Sequence, residues 1–273
     1  MRRDANTHDH YPDAIVQLLL DVLPARGLIG ISGLQGSGKS TLAAQLVAAA
    51  ECRGSAAITM SIDDFYLGRR ARQRLARMVH PLLATRGVPG THDVELLRHT
   101  LAALRAAAPR HPARIPRFDK GRDTRLPPSR WRRVKHAPAL VILEGWCLGI
   151  PPQGRSALRR PINALERDED SDRRWRTFVN AQLAQHYVPL WRRFDRLIDL
   201  QAPDFAVVAC WRDEQERALR RRHAPRAMSP AVLRRFLMHY ERLSRQALRA
   251  LPALADICLR LAGDRRVREI MIR

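Results

Sequence analysis

A chain of 273 residues is long enough for one large α/β domain with a buried core. Its four cysteines, Cys52, Cys147, Cys210 and Cys258, form no CxxC pair; this argues against a zinc site or disulfide framework and for reduced thiols in a cytoplasmic protein, with three of the four expected in the core. The formal charge of +22 raises nucleic acid as a partner, but it is nearly all arginine spread over every segment, with lysine only at Lys39, Lys120 and Lys135, so it reads as a compositional bias and makes nucleic-acid binding a poor choice.

In chain order, the first apolar run, Ala14 to Val22, is too short and too polar for a signal peptide or a membrane span; it reads as an amphipathic helix within residues 1–26. A strand follows at Leu28 to Ser32, a helix at Lys39 to Cys52 and a strand at Ala56 to Ile62. Further strands are expected at Leu140 to Leu143, Arg196 to Leu200, Phe205 to Trp211 and Ile257 to Leu261. Strands alternating with helices predict a single α/β domain with a mostly parallel sheet covered on both faces. Two long loops interrupt the pattern, residues 86–136 and 151–174, the second strongly charged from Glu166 to Asp172. Helices are expected at Asp213 to Arg222, before a break at Pro225, and from Pro230 to about Ala250.

The run Gly33-Leu34-Gln35-Gly36-Ser37-Gly38-Lys39-Ser40, continued by Thr41, satisfies GxxxxGK[ST] between a strand and a helix, the setting a phosphate-binding loop requires. Its glycines let successive N–H groups turn toward phosphates while the helix N-terminus adds its positive dipole. Lys39 is expected on the β- and γ-phosphates of ATP and the Ser40 hydroxyl on Mg²⁺. In a chain that otherwise chooses arginine, a lysine here is informative. The motif alone does not separate kinases from other nucleotide hydrolases.

Two acids follow the second strand in SIDDFY. Asp63 and Asp64 stand at the carboxyl edge of a parallel sheet, where a carboxylate can take a proton from an attacking hydroxyl, hold a magnesium-bound water, or simply cap a helix. Glu144 ends the run LVILEGW, the place of an acid that polarises magnesium water or orients a hydroxyl; a capping or ion-paired glutamate is the plainer alternative.

Taken together, GLQGSGKST, SIDDFYL, RGVPGTHD, PRFDKGRDTR, LEGWCLG and INALE resemble the D-glycerate 3-kinase family, within the P-loop kinases that include uridine, pantothenate and phosphoribulo-kinases. The resemblance runs from about Gly27 to Leu261 and implies a three-layer P-loop NTPase fold of the nucleoside-monophosphate-kinase type. It also implies an ATP- and Mg²⁺-dependent phosphotransferase making 3-phosphoglycerate from D-glycerate. On that resemblance Asp63 is the expected general base, with Lys39 and Glu144 as the other catalytic groups.

The 86–93 segment is similar to the family's RGxPGTHD loop and offers Arg86 for a substrate carboxylate and His92 and Asp93 beside it; Asp93 serves equally well as a helix N-cap. Asp119 and Lys120 resemble the family's FDK motif, Lys120 balancing anionic charge with Asp119 orienting it. Arg125 follows less closely, since Thr124 separates it from Asp123. A lid is expected over residues 212–228, with Arg217 and Arg221 closing on the transferring phosphoryl group, although a solvated helix face explains such arginines as well. The alternatives are a P-loop kinase for another hydroxyl metabolite, such as pantothenate, a nucleoside or a sugar phosphate, and a nucleic-acid-binding NTPase. The guanine-reading NKxD pattern of regulatory GTPases is missing after VVACW.

Overall fold

The computed structural model describes residues 10–221 and 228–273, and of residues 218–221 the backbone alone. Helix α1 (Asp13–Val22) leads into strand β1 (Gly27–Gly33), helix α2 (Lys39–Cys52) and strand β2 (Ala57–Ser61). Helices α3 (Arg69–Met78) and α4 (Val94–Arg105) follow. Strands β3 (Ala113–Ile115), β4 (Phe118–Asp119), β5 (Thr124–Arg125) and β6 (Arg132–Val134) then make two small antiparallel ribbons, β3 with β6 and β4 with β5. Strand β7 (Leu140–Gly145) precedes helices α5 (Ala164–Asp168), α6 (Arg174–Gln182) and α7 (Val188–Trp191). Strand β8 (Arg196–Gln201), helices α8 (Ala206–Arg221) and α9 (Pro230–Leu254), and the hairpin β9 (Ile257–Leu261) to β10 (Val267–Ile272) complete the described chain.

The central sheet has the order β10-β9-β8-β1-β7-β2, all parallel except β10. Every residue of β7 is buried, as the uninterrupted apolar run LVIL requires of a strand covered on both faces. Parallel strands bring their carboxyl ends to one edge, where ligands bind in open α/β sheets. Register aligns that edge: Ile31 of β1 lies across from Glu144, Glu144 across from Ser61, and Ser32 across from Asp199. The phosphate loop, the acids after β2 and Glu144 are therefore neighbours although they are far apart in sequence.

Four expectations change here. Phe205 to Trp211 is not a strand. It forms the start of α8, capped by Asp204, whose Oδ1 accepts from Val207 N at 2.9 Å, and it buries Val208 and Trp211 at helical spacing while Cys210 is exposed. Two cysteines rather than three are buried, Cys147 and Cys258, and all four are free. The charged stretch Glu166 to Asp172 is not all loop, since α5 runs through Asp168, and Glu166 and Asp170 are wholly buried, paired with Arg242 at 2.6 Å and Arg176 at 2.7 Å. Those guanidiniums also donate to the carbonyls of Ala157, Arg160 and Leu158, which satisfies the charges that burial would otherwise penalise. The long stretch 86–136 carries α4 and both ribbons. Pro225, Arg222 and the expected lid beyond residue 221 lie outside the described residues, up to Met228. Among the described residues no helix is long and apolar enough to cross a membrane.

Candidate active site

At the end of β1 the chain turns through Leu34 to Gly38 into α2. Gly36 has φ +86°, and a Cβ on it would lie 2.7 Å from Cβ of Trp211, so only glycine fits. Gly38, the N-cap of α2 at φ +91°, brings no side chain to the helix, which leaves its leading N–H groups and positive dipole end to an external anion. Lys39 donates from Nζ to the Leu34 carbonyl at 2.9 Å. Burial pushes its ammonium pKa down, and the carboxylates of Glu144 and Asp63 pull against that shift. Among the described residues the side-chain amide of Gln35 and the hydroxyl of Ser37 are buried without partners, polar groups beside the place of a bound phosphate chain.

Ser40 Oγ donates to Glu144 Oε1 at 3.1 Å. A hydroxyl and a carboxylate oxygen this close, beside an anion-binding helix end, are the hard oxygen donors Mg²⁺ takes. The residues present thus fit both ATP and Mg²⁺.

After β2 a single 3-10 turn, Ile62–Phe65, begins with Ser61 Oγ accepting from Asp63 N. Asp63 Oδ1 accepts from the Tyr66 hydroxyl at 2.9 Å and Oδ2 from Lys120 Nζ at 2.7 Å. Burial alone would raise the Asp63 pKa, but the Lys120 charge and hydrogen bond, with His92 and the Tyr66 hydroxyl, hold it below the ordinary carboxylate value. Its neighbour Asp64 points elsewhere. Asp64 Oδ1 accepts from Phe118 N at 3.0 Å, fastening β4 to the turn, and burial raises its pKa. Asp64, expected on the substrate, serves here as a structural clamp.

Lys39, Ser40, Asp63, Arg86, Lys120 and Glu144 line one cavity of about 270 Å³. Arg86 is held on a loop whose backbone receives Tyr240, hydroxyl to Arg86 O at 3.0 Å, and Trp146, Nε1 to Gly87 O at 3.2 Å. Its guanidinium sits over the Phe118 ring and shares Asp123 with the buried Arg72. The other residues expected on the substrate are engaged in structure. Asp93 caps α4 through Leu96 N at 3.0 Å and pairs with Arg125 at 3.1 Å, while Arg125 also donates to Tyr66 O at 3.1 Å. Asp119 closes its own turn on Arg122 N at 2.9 Å and so presents Lys120 through the backbone rather than by pairing with it. His92 is buried behind Tyr66, stacked on its ring. Arg217 is exposed and paired with Asp213 on its own helix, and the Arg221 side chain lies outside the described residues.

Sequence reasoning passed over several residues that matter. Arg212, on α8, lines the cavity with its Nε buried and unpartnered among the described residues, while its other nitrogens hold Gln215 and Glu216. Trp211 places it: the indole Nε1 donates to Gly263 O at 2.6 Å and the ring lies under the Arg265 guanidinium. Arg265 Nε in turn donates to Gly36 O at 2.8 Å, and the Tyr11 hydroxyl donates to Ser37 O at 2.9 Å. These residues brace the phosphate loop from both ends of the chain, and Tyr11, Pro12, Ile15, Thr41, Arg265 and Val267 line a second cavity of about 270 Å³ on its far side. No local motif marks any of them in a chain so rich in arginine.

No protein-family model matches the chain. It is 34% identical over 221 residues to the uncharacterized kinase mug58 of Schizosaccharomyces pombe, covering 78% of each chain. It is 30% identical over 201 residues to the chloroplastic D-glycerate 3-kinase of Arabidopsis thaliana, covering 71% of this chain and 41% of that one. Among solved structures, a D-glycerate 3-kinase from Cryptococcus neoformans var. grubii shares the fold at a TM-score of 0.75 and 23% identity, over 94% of this chain and 95% of its own. With the Schizosaccharomyces pombe kinase matched across most of both sequences, and with a phosphate loop set on a parallel sheet, the chain belongs with that protein to a family of P-loop kinases and is similar to D-glycerate 3-kinases.

Proposed function

We propose that this kinase transfers the γ-phosphoryl group of ATP to a hydroxyl of D-glycerate, giving 3-phosphoglycerate. The observation that carries the reading is the small cavity that Asp63, Lys39, Arg86, Lys120 and Arg212 line together. Its volume suits an acceptor of a few carbons, and its cations suit a carboxylate on that acceptor. The second cavity, bounded by Tyr11 and Arg265 beside the phosphate loop, takes the nucleoside part of ATP.

In this reading Asp63 accepts the hydroxyl proton as the oxygen attacks the γ-phosphorus. Lys39 and the unpartnered Arg212 Nε spread the charge that accumulates on the transferring oxygens. Ser40 and Glu144 hold Mg²⁺, which supplies further neutralisation of phosphate charge when bound. Arg86 orients the acceptor carboxylate, and Lys120, paired with Asp63 in this structure, moves onto anionic oxygen when substrates enter. Free cysteines support a reducing, cytoplasmic setting.

The test is ADP release with Mg²⁺ and ATP against D-glycerate, L-glycerate, pantothenate, uridine and a 5′-hydroxyl oligonucleotide. D-Glycerate is expected to give the dominant rate; activity only with another acceptor discards the substrate and keeps the kinase. Lys39→Ala should abolish turnover, and Asp63→Asn should lower kcat by on the order of 10² to 10⁴ with ATP affinity nearly unchanged. Near-normal turnover of Asp63→Asn would remove Asp63 from the role of base.

A further inference from the structure

Behind Asp63 stands a group of aromatic side chains that the reaction above leaves unused. Tyr66 is only 3% exposed, yet its hydroxyl reaches Asp63 Oδ1 at 2.9 Å at the cavity wall. Its ring lies against His92, with centroids 4.4 Å apart and planes 22° from parallel, and meets the edge of Phe118 at 5.5 Å. His92 is fixed in turn. The Tyr187 hydroxyl accepts from Gly90 N at 3.0 Å and shares a hydrogen bond with His92 Nδ1 at 2.9 Å. Burial holds the ring neutral, with a pKa of about 4 despite the opposing pull of Asp63.

The backbone reinforces the stack. Tyr66 and His92 form an isolated bridge, Leu67 N donates to Thr91 O at 2.8 Å, and Asp93 N donates to Phe65 O at 2.7 Å. A hydroxyl presented by a ring clamped on two sides has almost no freedom left, and neither does the carboxylate oxygen that accepts from it.

We propose that Tyr66, held by the His92–Tyr187 pair, is the positioning residue that fixes the plane of the Asp63 carboxylate and leaves Oδ2 directed to the incoming hydroxyl. The inference rests on Asp63 being the base. Tyr66 cannot take that role itself, because burial first, and then the charge of Asp63, raises its phenol pKa well above the ordinary value. The hydrogen bond also favours the charged carboxylate, so losing it makes Asp63 easier to protonate. The other groups facing Asp63 are Lys120, Lys39, His92, Asp64, Cys147 and Tyr240; of these Tyr66→Phe touches only the Tyr240 phenol, which also interacts with the Tyr66 hydroxyl.

The experiment is steady-state phosphorylation over a pH series for the full chain, Tyr66→Phe, Lys120→Met and Asp63→Asn, with the ATP-dependent thermal shift recorded for each. Tyr66→Phe keeps the ring and its stack and removes one oxygen. Its kcat should fall about tenfold with KM for ATP unchanged, consistent with one charge-assisted hydrogen bond. The acid limb of its kcat profile should move to higher pH, as should that of Lys120→Met, which loses the larger of the two influences. A purely structural role would lower the melting temperature without moving that limb. An unmoved limb and unchanged kcat in Tyr66→Phe, with Asp63→Asn inactive, overturn this inference alone. Near-normal turnover in Asp63→Asn overturns the base assignment and this inference together.

Discussion

Asp199 shows how the site is assembled at the expense of stability. It lies on β8 across from Ser32, directly before the phosphate loop in register, and is 3% exposed. Burial raises its pKa to about 7, with only the Lys39 charge pulling the other way. Such a group is protonated more readily in the folded chain than in the unfolded one. Its effect is therefore fully favourable below the unfolded value of 3.8, is lost as pH rises, and becomes a constant penalty above about pH 7. Asp199→Asn should stabilise the protein by on the order of a few kcal/mol at pH 8 and by little at pH 4, as read by urea unfolding at both values. An equal gain at both would mean that packing, not ionisation, is responsible. At this scale the sequence was most legible where residue choice was unusual. Lys39 and Lys120 stand out against arginine and both line the cavity, whereas Arg212 is hidden by the same bias. The pair Asp63 and Asp64 could not be divided from sequence, because a 3-10 turn rather than a strand decides which of two adjacent carboxylates faces the cavity.

The hairpin β4–β5 does more for the site than its four paired residues suggest. It carries Lys120 at its tip and is moored by Asp123, at φ +54°, to Arg72 and Arg86. Arg72 is almost fully buried and also donates to the carbonyls of Leu67 and Ala84, so the mooring joins the hairpin to α3 and to the loop that bears Arg86. Asp123→Ala should destabilise by about 2 kcal/mol, less than for a fully buried pair because Asp123 is partly exposed. It should also raise KM for the acceptor several-fold while KM for ATP stays put. Steady-state kinetics with each substrate varied in turn measures this, and an unchanged acceptor KM would separate the hairpin from the acceptor. Elements built from long apolar or periodic runs, such as β1, β7 and α2, were legible in the sequence. The ribbons were not, since strands of two or three residues owe their form to tertiary ties such as Asp64 to Phe118 N. The misread start of α8 has a like cause: Val207 and Val208 favour a strand by propensity, and packing of Trp211 against Gly36 overrides it.

At the scale of the whole molecule, the parallel order β2-β7-β1-β8-β9 gathers the phosphate loop, Asp63 and Glu144 at one edge, and alternation of strands and helices was enough to foresee that edge. Nucleotide binding to the folded form alone should then stabilise the entire domain. At ATP about 100 times its Kd, roughly 2.7 kcal/mol is expected, which for a chain of this size is a rise in melting temperature of roughly 5 to 10 °C. Lys39→Ala should lose most of that rise, and a scan with and without MgATP reads it directly. Sequence could not foresee that the phosphate loop is braced by Tyr11 near one end of the chain and Arg265 near the other. That brace also orders events during synthesis. A nascent chain that has emerged only through α9 has the loop, the acids and the acceptor wall but lacks the Arg265 guanidinium on Gly36 and the β9–β10 hairpin, so the loop gains this brace for nucleotide only after that hairpin has followed.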